Sequence, residues 1–126
     1  NTAHRLKSEP LGPYGIKLSR DRVTEEDAAV KVINGDHKVM NAPNKIEAVD
    51  FKGWVQERGL YFPNEWDTNM KPILSMHDTN ESSKEGSLLV GQYGEGYVVY
   101  TGLSFFRELP AGVPGAYRLL ANILSL

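Results

Sequence analysis

The sequence predicts an α/β domain, strand-rich with a C-terminal buried helix, and three observations carry that prediction. Ser87 to Tyr93 and Tyr97 to Thr101 are apolar runs rich in β-branched and aromatic residues, joined by Gly94-Glu95-Gly96, which is the pattern of a hairpin. From Val113 to Leu126 the pattern becomes helical, with Pro114 where a first turn tolerates it. Arg118, Asn122 and Ser125 form a narrow polar stripe on that helix, so it should bury most of its circumference, with Leu120, Ile123 and Leu124 on one apolar face. Strands outnumber helices elsewhere, and the closing helix argues against an all-β sandwich.

The remaining elements follow in order. Residues 1–13 are polar and contain Pro10, Gly12 and Pro13, so they read as an extended arm or linker remnant ahead of a single domain at 14–126. Ile16 and Leu18 alternate, as do Val30 and Val32, predicting two strands around the acidic turn Thr24-Glu25-Glu26-Asp27. Asn34-Gly35 marks a sharp turn, followed by a loop because Asp36-His37-Lys38 is too polar for a returning strand. Asp50 is the expected N-cap of a short helical turn at Phe51 to Val55, weakened by Gly53. A strand is expected around Gly59 to Phe62, a tryptophan-bearing loop over Pro63 to Lys71, a short strand at Pro72 to Met76 and a polar turn region from His77 to Gly86.

Composition excludes several classes of function. The chain has 126 residues, enough for one core, and no cysteine, so it has no disulfide framework, thiolate zinc site or cysteine nucleophile. That absence assigns no compartment, and an exported bacterial protein is compatible with it. Fourteen basic against sixteen acidic residues, with no long run of either sign, give no footprint for nucleic acid or an anionic membrane. No stretch is apolar and long enough to span a bilayer as a helix, and the first residues carry no apolar signal region. The absent initiator methionine and the apolar last residues lead us to expect a piece of a longer protein.

Local motifs carry little chemistry. Gly91-Gln92-Tyr93-Gly94-Glu95-Gly96 is glycine-rich, but a phosphate loop needs a helix after it and here a strand follows. His4, His37 and His77 lie in the arm or in loops, and none belongs to a helical zinc pair, so no metal or other cofactor is expected. His77 and Asp78 with Ser75 or Ser104 could be assembled as a hydrolytic triad, yet Gly102-Leu103-Ser104-Phe105-Phe106 lacks the second glycine of a nucleophile elbow. Asn80-Glu81-Ser82 matches a glycosylation acceptor. Trp54, Tyr61, Phe62 and Trp66 could stack on a sugar or peptide, but core packing is the preferred reading because Tyr61 and Phe62 lie in a strand, and Trp66, between Glu65 and Asp67, is the one expected to be exposed. Phe105-Phe106-Arg107-Glu108 follows the last strand at its carboxyl end, where open α/β sheets place their ligands.

Two strings are distinctive: Asp50-Phe51-Lys52-Gly53-Trp54-Val55-Gln56-Glu57-Arg58-Gly59-Leu60-Tyr61-Phe62, and the run from Tyr100 to Leu119 that contains Gly102-Leu103-Ser104-Phe105-Phe106-Arg107-Glu108-Leu109-Pro110. They resemble the C-terminal region of long bacterial PIG-L (LmbE-like) deacetylases, over about Pro13 to Leu126. The same region is similar to the distal part of a class I glutamine amidotransferase-like (flavodoxin-like) domain, in which a His-Pro segment follows a strand. Here Asp36-His37-Lys38 keeps the histidine and replaces the proline. The resemblance implies a zinc-dependent parent enzyme acting on N-acetylated sugars or related amides. Its Pro-x-Asp-Asp segment and His-x-x-His pair belong to an N-terminal domain and are not among these residues, and the amidotransferase cysteine is missing too. No catalytic residue carries over.

The expectation is therefore a non-catalytic accessory or binding domain whose partners are the upstream deacetylase domain and a glycan. Its candidate interface is Trp54, Glu57, Arg58, Tyr61, Phe105, Phe106, Arg107 and Glu108, from two segments expected to meet on one surface. The alternatives are a free-standing carbohydrate-binding module, which needs an exposed row of flat rings, and a hydrolase using Ser104, His77 and Asp78.

Overall fold

The computed structural model describes residues 13–126, so the expected arm and His4 lie outside the described residues, all but Pro13. Among the described residues seven strands and two helices follow one another: β1 (Ile16–Val23), β2 (Val30–Val32), β3 (Gly59–Trp66), β4 (Met70–Pro72), β5 (Leu74–Met76), β6 (Leu88–Tyr93), β7 (Gly96–Thr101), α1 (Phe105–Glu108) and α2 (Pro114–Leu124). Two 3-10 turns, Lys38–Met40 and Ala48–Phe51, lie between β2 and β3. The protein is thus mixed α/β and strand-rich, with a C-terminal helix. Every pairing between these strands is antiparallel: β1 with β3, β2 with β5, and β4–β6–β7 in a three-stranded sheet.

The β6–β7 hairpin forms as its alternation predicts, with Tyr93 paired to Gly96 and Gly94 in the left-handed region at φ +60°. A glycine at the first turn position suits a two-residue hairpin connection. Leu89 faces a small core with Ile16, Leu18 and Met70, while Leu88 and Val90 face the main core, as the two-residue period of a strand requires.

Between β4 and β5 the chain changes sheets at Ile73. Its N–H donates to Leu88 O at 3.0 Å, and its carbonyl accepts from Ile33 N at 2.9 Å. The expected strand at Pro72 to Met76 is therefore two short strands in different sheets. The tryptophan-bearing loop at Pro63 to Lys71 is corrected as well, since β3 continues through Pro63 to Trp66. Pro63 is tolerated there because the β1–β3 ladder is irregular, with register shifts on either side of Leu18, the residue paired with Pro63. Trp66 is half-buried against Ile16 and Leu18 rather than exposed.

Asp50 does not cap a helix at Phe51 to Val55. It is the third residue of the 3-10 turn one step earlier, where its carboxylate accepts the Glu47 N–H at 2.9 Å in a capping box. The turn packs on the start of α2 so closely that a Cβ on Gly115 would stand 1.7 Å from Asp50 O. Arg118 then donates to the Asp50 carboxylate at 2.8 Å.

The buried face of α2 is Gly115, Ala116, Leu119 and Asn122, at the three- and four-residue spacing of one helix face. Leu124, expected to be buried, is exposed, and Asn122, expected in a polar stripe, is fully buried. The reason is a hydrogen-bond latch. The Asn122 amide donates to Val39 O at 2.8 Å and Asn44 O at 2.7 Å and accepts from Asn44 N at 2.9 Å, satisfying a loop that has no strand partner.

Candidate functional site

The segments 54–61 and 102–108 come together because β3 starts beside the end of β7. Leu60 N donates to Gly102 O and Ser104 N to Arg58 O, both at 2.9 Å, and Gly59 bridges Leu103. A Cβ on Gly59 would lie 2.4 Å from Gly102 O, so this backbone approach requires glycine.

Buried polar contacts lock the junction. Glu108, with no exposed surface, accepts the Val55 N–H at 2.6 Å and lies 2.7 Å from Ser104 Oγ. Ser104 is fully buried too, and its hydroxyl also lies 2.6 Å from Glu57 O. Arg58 is buried with its guanidinium donating to Ala28 O, at 3.0 Å from Nε and 2.6 Å from the second terminal nitrogen, and to Phe51 O. Burial lowers its pKa, opposed by the charges of Asp27, Glu108 and Glu26.

Trp54 is buried as well. Its indole N–H donates to Asp50 O at 2.9 Å, and its ring stands 5.7 Å from Phe51 and 6.0 Å from Phe105 between centroids. A cavity of about 510 Å³ opens beside it, with Ala28, Val30, Phe51 and Arg58 in its walls and Glu26 and Asp27 also lining it.

The two candidate segments do meet, but only part of the candidate interface reaches solvent. Trp54, Arg58 and Glu108 are buried with their polar side-chain atoms hydrogen-bonded inside the domain, so they present almost no surface to a partner domain. Phe106, at 61% exposure, and Tyr61, at 51%, are open. Arg107 lies between an ion pair and a ring: its Nε is 2.5 Å from Glu57 Oε1 and its guanidinium stands 5.0 Å from the Phe106 centroid. Phe105 is half-buried against Trp54. Tyr61 adopts φ +56° within β3, a conformation that costs a bulky residue energy, while its carbonyl accepts the Tyr100 hydroxyl at 2.9 Å.

Ser104, His77 and Asp78 do not form a triad. Asp78 is buried and accepts the N–H groups of Thr24 and Glu25, both at 2.8 Å, and the Thr24 hydroxyl at 2.9 Å. The Glu25 carboxylate in turn accepts Thr79 N at 2.8 Å, so the pair clasps two loops. The His77 ring is hydrogen-bonded to the backbone oxygen of Asp78, and Ser104 is engaged with Glu57 and Glu108, so among the described residues no hydrogen bond links the three side chains. Among the described residues no group of three or more His, Asp or Glu is placed to hold a metal ion, and no helix is long and apolar enough to cross a membrane. Asn80 of the glycosylation motif is exposed, in a turn at φ +64°.

Compared with known protein families, with curated proteins and with solved structures, the chain finds no match. The class that the fold and the junction define is a strand-rich α/β domain presenting an aromatic and charged surface over a polar, buried support.

Proposed function

We propose that this chain is a non-catalytic accessory domain of a PIG-L-type N-deacetylase and that it docks on the catalytic domain through Tyr61, Phe106, Arg107 and Glu57. The observation that carries the reading is Phe106: a large exposed ring on a four-residue helix whose neighbours Ser104, Phe105 and Glu108 are fastened from below. A ring held this way loses little conformational entropy when a partner covers it, and an aromatic centre with an arginine beside it is the composition of interface hot spots. The resemblance of Asp50 to Phe62 and of Tyr100 to Leu119 to the deacetylase C-terminal region supplies the partner. The exposed half of the surface comes from these same two strings.

On this reading the region is the distal part of a class I glutamine amidotransferase-like domain. Parallel strands of that layout then have to come from outside residues 13–126, whose own pairings are all antiparallel. The test is the gene sequence upstream of Asn1. It should encode a Pro-x-Asp-Asp segment and a later His-x-x-His pair, and the two regions expressed as separate chains should co-elute. An upstream region without those motifs, or two chains that elute apart, contradicts the proposal.

A further inference from the structure

A second cleft shares no residue with the junction. Its volume is about 430 Å³, and His37, Lys38, Asn69, Lys71, Gln92 and Tyr97 are among the residues lining it. That is within the size of small-molecule sites, roughly 300–1,000 Å³. Register explains the assembly: Lys71 pairs with Val90 and Gln92 with Tyr97, so one face of the β4–β6–β7 sheet carries all four. Val90 sinks into the core, while Lys71, Gln92 and Tyr97 remain exposed around the end of that face.

The turn at Lys38–Met40 brings the opposite wall. His37 caps it, Nδ1 accepting the Val39 N–H at 3.0 Å, which leaves Nε2 to carry the proton of the neutral ring. The ring meets Tyr97 edge-on, 6.1 Å between centroids and 74° between planes. Burial lowers the His37 pKa, Lys71 beside it lowers it further, and Asp36 opposes them. No carboxylate lines the cleft, although acidic residues outnumber basic ones in the chain, sixteen to fourteen.

We propose that this cleft binds a carboxylated sugar, its carboxylate taken by Lys38 and Lys71 and its hydroxyls by Asn69, Gln92 and Tyr97. Ammonium groups supply the charge-assisted contacts, and side-chain amides and a phenol can both donate to and accept from ring hydroxyls. The site goes beyond the docking proposal and does not rest on it.

The experiment is an amide-shift titration of the whole chain at low salt with glucuronate, glucose and inorganic phosphate as separate probes. Glucuronate should shift residues around Lys38, Lys71 and Gln92 while glucose does not. The double variant Lys38→Gln, Lys71→Gln should weaken that binding by about tenfold or more, and Lys17→Gln should not. Both lysines are exposed, so an unchanged spectrum away from the cleft will certify that the double variant is folded. No shift with glucuronate, or a double variant that binds it as well, overturns the site. Phosphate binding as tightly as glucuronate overturns the sugar.

Discussion

The carboxylate of Glu108 accepts the backbone N–H of Val55 at 2.6 Å, with neither α1 nor the 54–58 segment making a ladder to the other there. Together with the Ser104 contacts to Glu57 O and Arg58 O, this contact ties α1 to the segment before β3, with Phe106 exposed and Arg107 partly exposed.

Replacing the fully buried Glu108 by alanine takes the acceptor from the part-buried Val55 N–H, empties a packed site and leaves the Ser104 hydroxyl only its backbone acceptors Glu57 O and Arg58 O. The expected loss is roughly 2–4 kcal/mol of unfolding free energy. Arg107→Ala removes a partly exposed ion pair and should cost about 1 kcal/mol or less. Urea denaturation of the two variants checks the contrast. Equal losses would show that Arg107 belongs to the support and is not free for docking.

Gly115→Ala should be among the most destabilising small substitutions, because the new methyl overlaps Asp50 O and must push the 3-10 turn off α2. We expect a loss of about 1–3 kcal/mol, against the stabilisation that alanine gives in an unobstructed helix. A thermal melt at or above the parent value would mean that the turn and the helix are not in contact.

Among the described residues the buried Ser87 Oγ has no hydrogen-bond partner, while its carbonyl accepts from Gly102 N and from the Thr101 hydroxyl. Ser87→Ala should therefore be neutral or stabilising by up to about 1 kcal/mol, since an unsatisfied hydroxyl is removed and no contact is lost. A clear loss of stability in denaturant would reveal a partner for that hydroxyl.

The hairpin was legible because its alternation and its glycine turn are local properties of fifteen consecutive residues, Ser87 to Thr101. The continuation of β3 was not, since Pro63, Asn64 and Glu65 are poor strand residues held by pairing with β1, more than forty residues away. Asn122 misled for a related reason: its partners are Val39 and Asn44, so a fully satisfied buried amide looks like a solvated stripe from the helix alone. In the junction, the meeting of the two segments could be anticipated from the aromatic and charged mixture. Which members are support and which are surface could not, because Glu108 and Arg58 are buried only by virtue of backbone groups on distant loops. The His37–Lys71 cleft draws on four separate segments with no motif in any of them.

Two groups contribute to the acid dependence of stability. His37 has a folded pKa below 6.5, from burial first and then from Lys71, so the unfolded chain takes up its proton earlier and stability falls as pH drops from about 6.5 toward the folded value. Burial alone would raise the Asp78 pKa, but the N–H groups of Glu25 and Thr24, the Thr24 hydroxyl and Arg22 bring it below 3.8. Its contribution is complete above 3.8 and is lost as pH falls through the folded value. Urea midpoints followed from pH 8 to pH 3 should show a mild decline that His37→Gln removes and a steeper one that Asp78→Asn removes. Midpoints whose pH dependence is the same in both variants as in the parent would contradict this.

Calorimetry between this chain and the deacetylase domain that we propose to lie upstream of it tests docking most directly. Phe106→Ser should weaken association by about tenfold or more while leaving the thermal melt unchanged, because an exposed ring contributes to a partner and not to the core. An unchanged dissociation constant for that folded variant would contradict the account.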